Sequence, residues 1–233
     1  MGYMINHHDR PYVTPNPIVP EFKELDLDVV SNNFYAGLIY EYHLGNIDEL
    51  YSSIIARIVY EDKSANFEQG IAEDVELVAD PDYQSWKILR THYIYNAKWQ
   101  LSYITFNIFY KQNFSKSFPL GIVVGPSFSL TIEKSSYETI SLESDIPDKR
   151  IPDTLGVKLI NNGKTAVVHD GDIYDGTAFQ VGIHIHLQYE IVPKEGIMII
   201  PEIGYTYDLM NVMSVHDWRI VSIYAGVSAR FTL

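Results

Sequence analysis

The chain has no cysteine, which excludes both a disulfide framework and a thiolate metal site. It also lacks any apolar run of about eighteen residues, the minimum for a transmembrane helix. That absence leaves strands open, because a spanning strand needs only about 9–11 residues and only alternate ones must be apolar. Basic residues are few: 17 Lys plus Arg stand against 30 Asp plus Glu, for a net charge of −13. A nucleic-acid partner would need a basic patch, so none is expected. The opening MGYMINHHDRPY carries neither a basic segment nor an apolar one, so a signal peptide is expected to be absent from this chain. No internal repeat, heptad or low-complexity tract occurs. Aromatics are plentiful instead, with 18 Tyr and 10 Phe concentrated in segments that alternate.

The alternation is plainest in VSIYAGVSARFTL, residues 221–233. Its odd positions are Val221, Ile223, Ala225, Val227, Ala229, Phe231 and Leu233; its even positions are Ser222, Tyr224, Gly226, Ser228, Arg230 and Thr232. A period of two held that long predicts a strand with one apolar and one polar face. FQVGIHIHLQYEI sets Phe179, Val181, Ile183, Ile185 and Leu187 against Gln180, His184, His186, Gln188 and Glu190. GIMIIPEIGYTYDLM, LGIVVGPSFSLTI and NFYAGLIYEYHL behave the same way, and SSIIARIVYE does so with more noise. KWQLSYITFNIFYK changes phase near Tyr103–Ile104, as a β-bulge would cause. GYMINHH, residues 2–8, reads as the end of a first strand, part of which is expected to be missing from the chain. That makes eight predicted strands.

The connections alternate in length. Long polar stretches cover about residues 9–32, 62–92 and 133–177, whereas GNIDE, KQNFSKSF and PKE are short; a modest last loop lies near NVMSVHD. The expectation is a single domain over residues 1–233: an all-β, eight-stranded, antiparallel up-and-down transmembrane β-barrel with three long outer loops and short periplasmic turns.

A soluble barrel would alternate too, so the make-up of the two faces decides the orientation. A water-facing sheet usually carries Lys and Glu. Here the clear strand interiors hold only Arg57, Lys98 and Arg230 among the basic residues, and the polar face is chiefly Gly, Ser, Thr, Gln, His and Tyr. That composition suits a narrow, hydrogen-bonded lumen. The apolar face is almost free of charge, as hydrocarbon requires: an outward Arg or Lys at the midplane costs roughly 2–4 kcal/mol. Phe179, Ile183, Ile185, Ile203, Ile223, Val227 and Phe231 are therefore predicted to face lipid. Tyr40, Tyr42, Tyr60, Tyr189, Tyr205 and Tyr207 recur towards strand ends, where aromatic girdles lie.

Several motifs carry a family likeness. GYMINHH resembles the first strand, VVGPSFSL the Gly-Pro strand, and IIPEIGYTYDLMNV the Pro-Glu-x-x-Tyr penultimate strand of the small outer-membrane β-barrel proteins of Bacteroidota, akin to the OmpA transmembrane barrel. YAGVSARF is similar to that family's C-terminal insertion signal, although Thr232 and Leu233 follow Phe231. The resemblance implies a fold and an outer-membrane location more than an activity.

Candidate chemistry is sparse. His184 and His186 form an H-x-H pair with Glu190 on the same face, a spacing that suits a metal; the plainer reading makes them lumen polar groups. Arg57, Arg230, Glu41, Glu61, Glu190 and Glu202 are expected to face the lumen and to pair there, since buried charges must be compensated. HDGDIYDG brings Asp170, Asp172 and Asp175 together among glycines, but the spacing departs from an EF-hand loop, so no metal and no cofactor is expected. His7, His8, His43, His92, His169 and His216 form no recognisable Ser–His–acid arrangement, so no catalytic residue is assigned. The expected function is a non-enzymatic surface scaffold presenting acidic loops, with the lipid bilayer or lipopolysaccharide and a protein as partners. An accessory subunit of an outer-membrane secretion or assembly complex is the alternative, and a lipid-modifying enzyme the remote one.

Overall fold

In a computed structural model, the structure describes residues 1–12, 25–44, 52–80, 85–115, 118–153, 156–173, 175–214 and 217–231. Twelve strands account for nearly all of them. They are β1 (Gly2–Tyr12), β2 (Leu25–Leu44), β3 (Ser52–Asp62), β4 (Ala65–Asp80), β5 (Ser85–Asn113), β6 (Leu120–Ser144), β7 (Lys158–Ile160), β8 (Thr165–Asp172), β9 (Phe179–Tyr189), β10 (Ile191–Lys194), β11 (Ile197–Asp208) and β12 (Arg219–Phe231).

Eight of these strands close a ring. Antiparallel ladders join β1 to β2, β2 to β3, β3 to β5 and β5 to β6. They continue from β6 to β9, β9 to β11 and β11 to β12. The last ladder brings β12 back to β1, from Gly2 opposite Gly226 to Asp9 opposite Arg219. Closure matters because unpaired backbone groups cannot be left in hydrocarbon. The expected eight-stranded antiparallel ring is therefore present.

The stretches predicted as long loops are not loops throughout. β1 continues to Tyr12 and β2 starts at Leu25, so strand pairing occupies both ends of residues 9–32, and residues 13–24 lie outside the described set. β1 pairs from Gly2, opposite Tyr35 and Gly226, upward, so Ala36–Leu44 of β2 and Ser228–Phe231 of β12 have no partner in β1. Residues 62–92 are mostly the hairpin of β4 and the start of β5, paired from Ala65 opposite Trp99 to Asp80 opposite Ser85. Residues 133–177 contain the second half of β6 together with β7 and β8. A ladder needs only backbone, so polar composition above the ring disguised these strands as loops. The predicted turn GNIDE lies outside the described residues.

β5 shows why one chain supports both regions. Near the turns its even residues Tyr110, Ile108 and Phe106 are exposed and its odd residues Phe109, Asn107 and Thr105 are buried. Past Ser102 the even positions Gln100 and Lys98 are polar and exposed, while Leu101, Trp99, Ala97 and Tyr95 are buried. The same faces thus exchange polarity along one strand, from apolar-out to apolar-in. The exchange coincides with a register shift, Ser102 pairing with Glu133 and Tyr103 with Thr131, which leaves Ile132 as the extra residue. The predicted phase change within β5 is not found, since its odd residues stay buried from Tyr95 to Asn113 and the extra residue of the bulge belongs to β6.

Candidate functional site

Inside the ring the polar residues meet in three tiers. Near the turns, the Lys111 ammonium lies 3.0 Å from Glu41 and also pairs with Glu190, while Arg230 pairs with Glu41 and donates to Gln188 Oε1 at 3.1 Å. In the middle, Arg57 Nη1 stands 3.2 Å from Glu202 Oε1, which also accepts from the Tyr35 hydroxyl at 2.9 Å. The Arg57 guanidinium lies 5.1 Å from the Phe109 ring centre and 5.7 Å from that of Tyr224. In the third tier Lys63 Nζ sits 2.8 Å from Asp208 and 3.6 Å from Glu61, whose Oε2 accepts from Thr105 at 3.0 Å.

Each lumen cation therefore faces at least one carboxylate, the condition under which buried charge is tolerated. The predicted lumen residues Arg57, Glu61, His184, His186, Glu190, Glu202 and Arg230 are all buried, and the Glu41 side chain is 5% exposed. Bulk at the centre is accommodated at Gly204, where a Cβ would stand 2.7 Å from Tyr224 Cζ.

His184 and His186 are engaged in ordinary hydrogen bonds. His184 Nδ1 is 3.0 Å from the Thr206 hydroxyl, and His186 contacts the Tyr224 hydroxyl at 2.8 Å and Gln188 Nε2 at 3.0 Å. Among the described residues no three His, Asp or Glu side chains assemble as a metal site. Asp170, Asp172 and Asp175 are all exposed on or beside β8. The other histidines are scattered. His8 is buried 6.1 Å from the ring centres of Trp99 and Trp218, His43 lies towards the turns, and His216 is outside the described residues.

Lys63, Lys111, Asp208, Tyr35 and Tyr224 complete the lumen network without having been singled out by sequence. Their signal is parity: Lys63 lies two residues past Glu61, and Lys111 two past Phe109. Above the network, Trp99 and Trp218 meet at 4.7 Å between ring centres and pack with Tyr95, Leu101, Val212 and Met213. This apolar cluster caps the lumen at its hairpin end.

The outer surface has the opposite character. Phe179, Ile183, Ile185, Ile203, Ile223, Val227 and Phe231 are 40% to 68% exposed. Tyr40, Tyr42, Tyr189 and Tyr205 are exposed as well, while Tyr60 and Tyr207 are half-buried. Apolar side chains ring the outside and ion pairs fill the inside, the reverse of a water-soluble barrel. A belt of that kind is stable only where its surroundings are apolar.

Beyond the ring, β4, the first half of β5, the second half of β6, β8 and β7 form a polar sheet in that order. Glu68, Glu73, Glu76, Glu133 and Glu143 are exposed on it. Lys149 ties the connection after β6 to the β4–β5 hairpin, donating to Glu76 at 2.5 Å and to Thr91 at 3.0 Å.

No match was found among curated proteins. Among solved structures, Neisserial surface protein A (NspA) is similar over 99% of this chain and 95% of that one, with 9% identity and a TM-score of 0.32. A family model described as an outer membrane protein beta-barrel domain matches residues 13–214, and the chain accordingly belongs to that family of outer-membrane β-barrels.

Proposed function

We propose that this chain is a non-enzymatic surface scaffold of the bacterial outer membrane, using its barrel as an anchor for an acidic, strand-built platform. The observation that carries this reading is the contrast between a filled lumen and a strand-built polar extension. The bore holds ion pairs from Arg230 to Lys63 and is capped by Trp99 and Trp218. Such an interior supports anchoring better than passage, since an eight-stranded barrel is filled by its own side chains.

The extension offers recognition chemistry. Ile71, Val75, Leu77, Trp86 and Ile88 are exposed on the β4–β5 hairpin, beside Glu73 and Glu76. Exposed apolar groups rimmed by charge mark interaction surfaces, and recognition commonly sits on elements carried by a rigid frame. The likeness of GYMINHH, VVGPSFSL and IIPEIGYTYDLMNV to Bacteroidota-type barrels supports placing the chain in that group.

The test is affinity capture from gently solubilised membranes, comparing the natural chain with Leu77→Asp and Trp86→Asp. A partner held by the natural chain and lost by both variants, with the barrel still folded, is the expected result. Recovery of a stoichiometric secretion or assembly complex that both variants retain would replace the scaffold with the accessory-subunit reading. Lipid-processing activity in the purified protein would overturn both.

A further inference from the structure

The wall has a seam where the polar sheet leaves the ring. β3 ends at Asp62, and its ladder with β2 starts at Tyr35 opposite Glu61. Above Tyr35, β2 pairs with β1 alone, and β4 pairs only with β5 among the described residues. One side-chain clasp crosses the gap, Asn33 Nδ2 donating to the Ser64 carbonyl at 2.8 Å. The result is an outward-facing cleft of about 320 Å³, whose polar lining is dominated by Asn32, Asn33, Ser64, Asn66, Lys98 and Gln100. A second cleft of about 340 Å³ adjoins it, sharing Asn66 and Lys98 and carrying Glu68 on its far side.

The cleft's chemistry is one-sided. Lys98 is exposed, stands opposite Asn66 on β4 and Tyr137 on β6, and makes no ion pair among the described residues. Gln100 accepts from the Ser135 hydroxyl at 3.1 Å through Oε1, which leaves its amide N–H groups free to donate. No carboxylate lines the first cleft. An uncommitted ammonium beside amide donors suits a phosphate oxygen.

Its height selects the source. On β5 the outward apolar column runs from Tyr110 to Ile104, and polar residues begin at Ser102. Ten residues from Tyr110 to Gln100, at about 3.3 Å each and tilted by roughly 40°, rise about 25 Å, the height of a barrel's apolar band. Lys98 therefore stands at the upper rim of that band, at headgroup level. Directly below the cleft, Phe34, Leu38 and Ile58 are 50% to 79% exposed, a surface for an acyl chain.

We propose that this seam binds the phosphate-bearing headgroup of an outer-leaflet lipid, with Lys98 as the cation and Gln100, Asn66 and Asn32 as donors. The site lies at the base of the β4–β5 hairpin, away from Leu77 and Trp86 near its other end, so either reading can fail without the other.

Native mass spectrometry of the full folded chain in a neutral sugar detergent tests it, with phosphatidylglycerol, a diacylglycerol of the same chains and inorganic phosphate as probes. Phosphatidylglycerol should be retained at least tenfold more tightly than diacylglycerol. Lys98→Gln and Asn66→Asp should each erase most of that difference, while Lys87→Gln on the hairpin leaves it unchanged. Equal retention of the two lipids would overturn the proposal, as would an unchanged preference in Lys98→Gln. Inorganic phosphate binding as tightly as phosphatidylglycerol would also overturn it, by making the seam a site for a soluble anion. Faster gel migration of each variant before boiling establishes that it is folded.

Discussion

At the scale of single residues, the lumen depends on pairing more than on charge itself. Arg57 and Glu202 are both buried, so Arg57→Leu strands a carboxylate that keeps only its hydrogen bonds from Tyr35 and Gln188. Removing one partner of such a pair costs about 3–5 kcal/mol, whereas replacing both with apolar groups is often close to neutral. Denaturant unfolding in lipid vesicles should therefore show a large loss for Arg57→Leu and substantial recovery in Arg57→Leu/Glu202→Leu. Additive losses would show that the pair is not the coupling unit. The outer face gives a second check. Ile203, near the centre of β11, should lose roughly 2–4 kcal/mol on replacement by Arg, against about 0–1 kcal/mol for Phe231→Arg at the strand end. A loss that does not change with depth would contradict the lipid-facing assignment.

At the scale of elements, the informative object is β5, whose two faces exchange polarity at the bulge beside Ser102. Its outer half packs like a soluble sheet, with Trp99 wholly buried. Trp99→Ala should cost about 3–5 kcal/mol locally. Hydrogen exchange should accelerate in residues 91–101 and 218–222 while the lower ladders stay protected. Lys149→Ala removes a partly exposed tie to Glu76 and should cost less than about 1 kcal/mol, visible only as faster exchange in the β4–β5 hairpin.

The elements also show what could be read in advance. The strands of the belt were legible because period two is a local property: each residue reports its own side. β4, β7 and β8 were not, because above the belt polar side chains suit strand and loop alike. Lys111 and Lys63 were legible in principle by carrying parity past the obvious strand ends.

At the scale of the whole molecule, β12 pairs with β1 from Gly2 opposite Gly226 to Asp9 opposite Arg219, which closes the ring over its hairpin-side half. Such a ring should resist detergent, so the unheated protein should migrate faster on a gel than the boiled one. Identical mobility would argue against a closed barrel. The sequence alone determined the strand periodicity, the two unlike faces and hence the solvent each face requires, because those follow from the order of neighbouring residues. Only the tertiary structure decided which strands pair, that β5 rather than β4 closes onto β3, and which cation meets which carboxylate across the lumen. Arg57 and Glu202, like Lys63 and Asp208, lie 145 positions apart in the chain, and no local pattern encodes a distance across a bore.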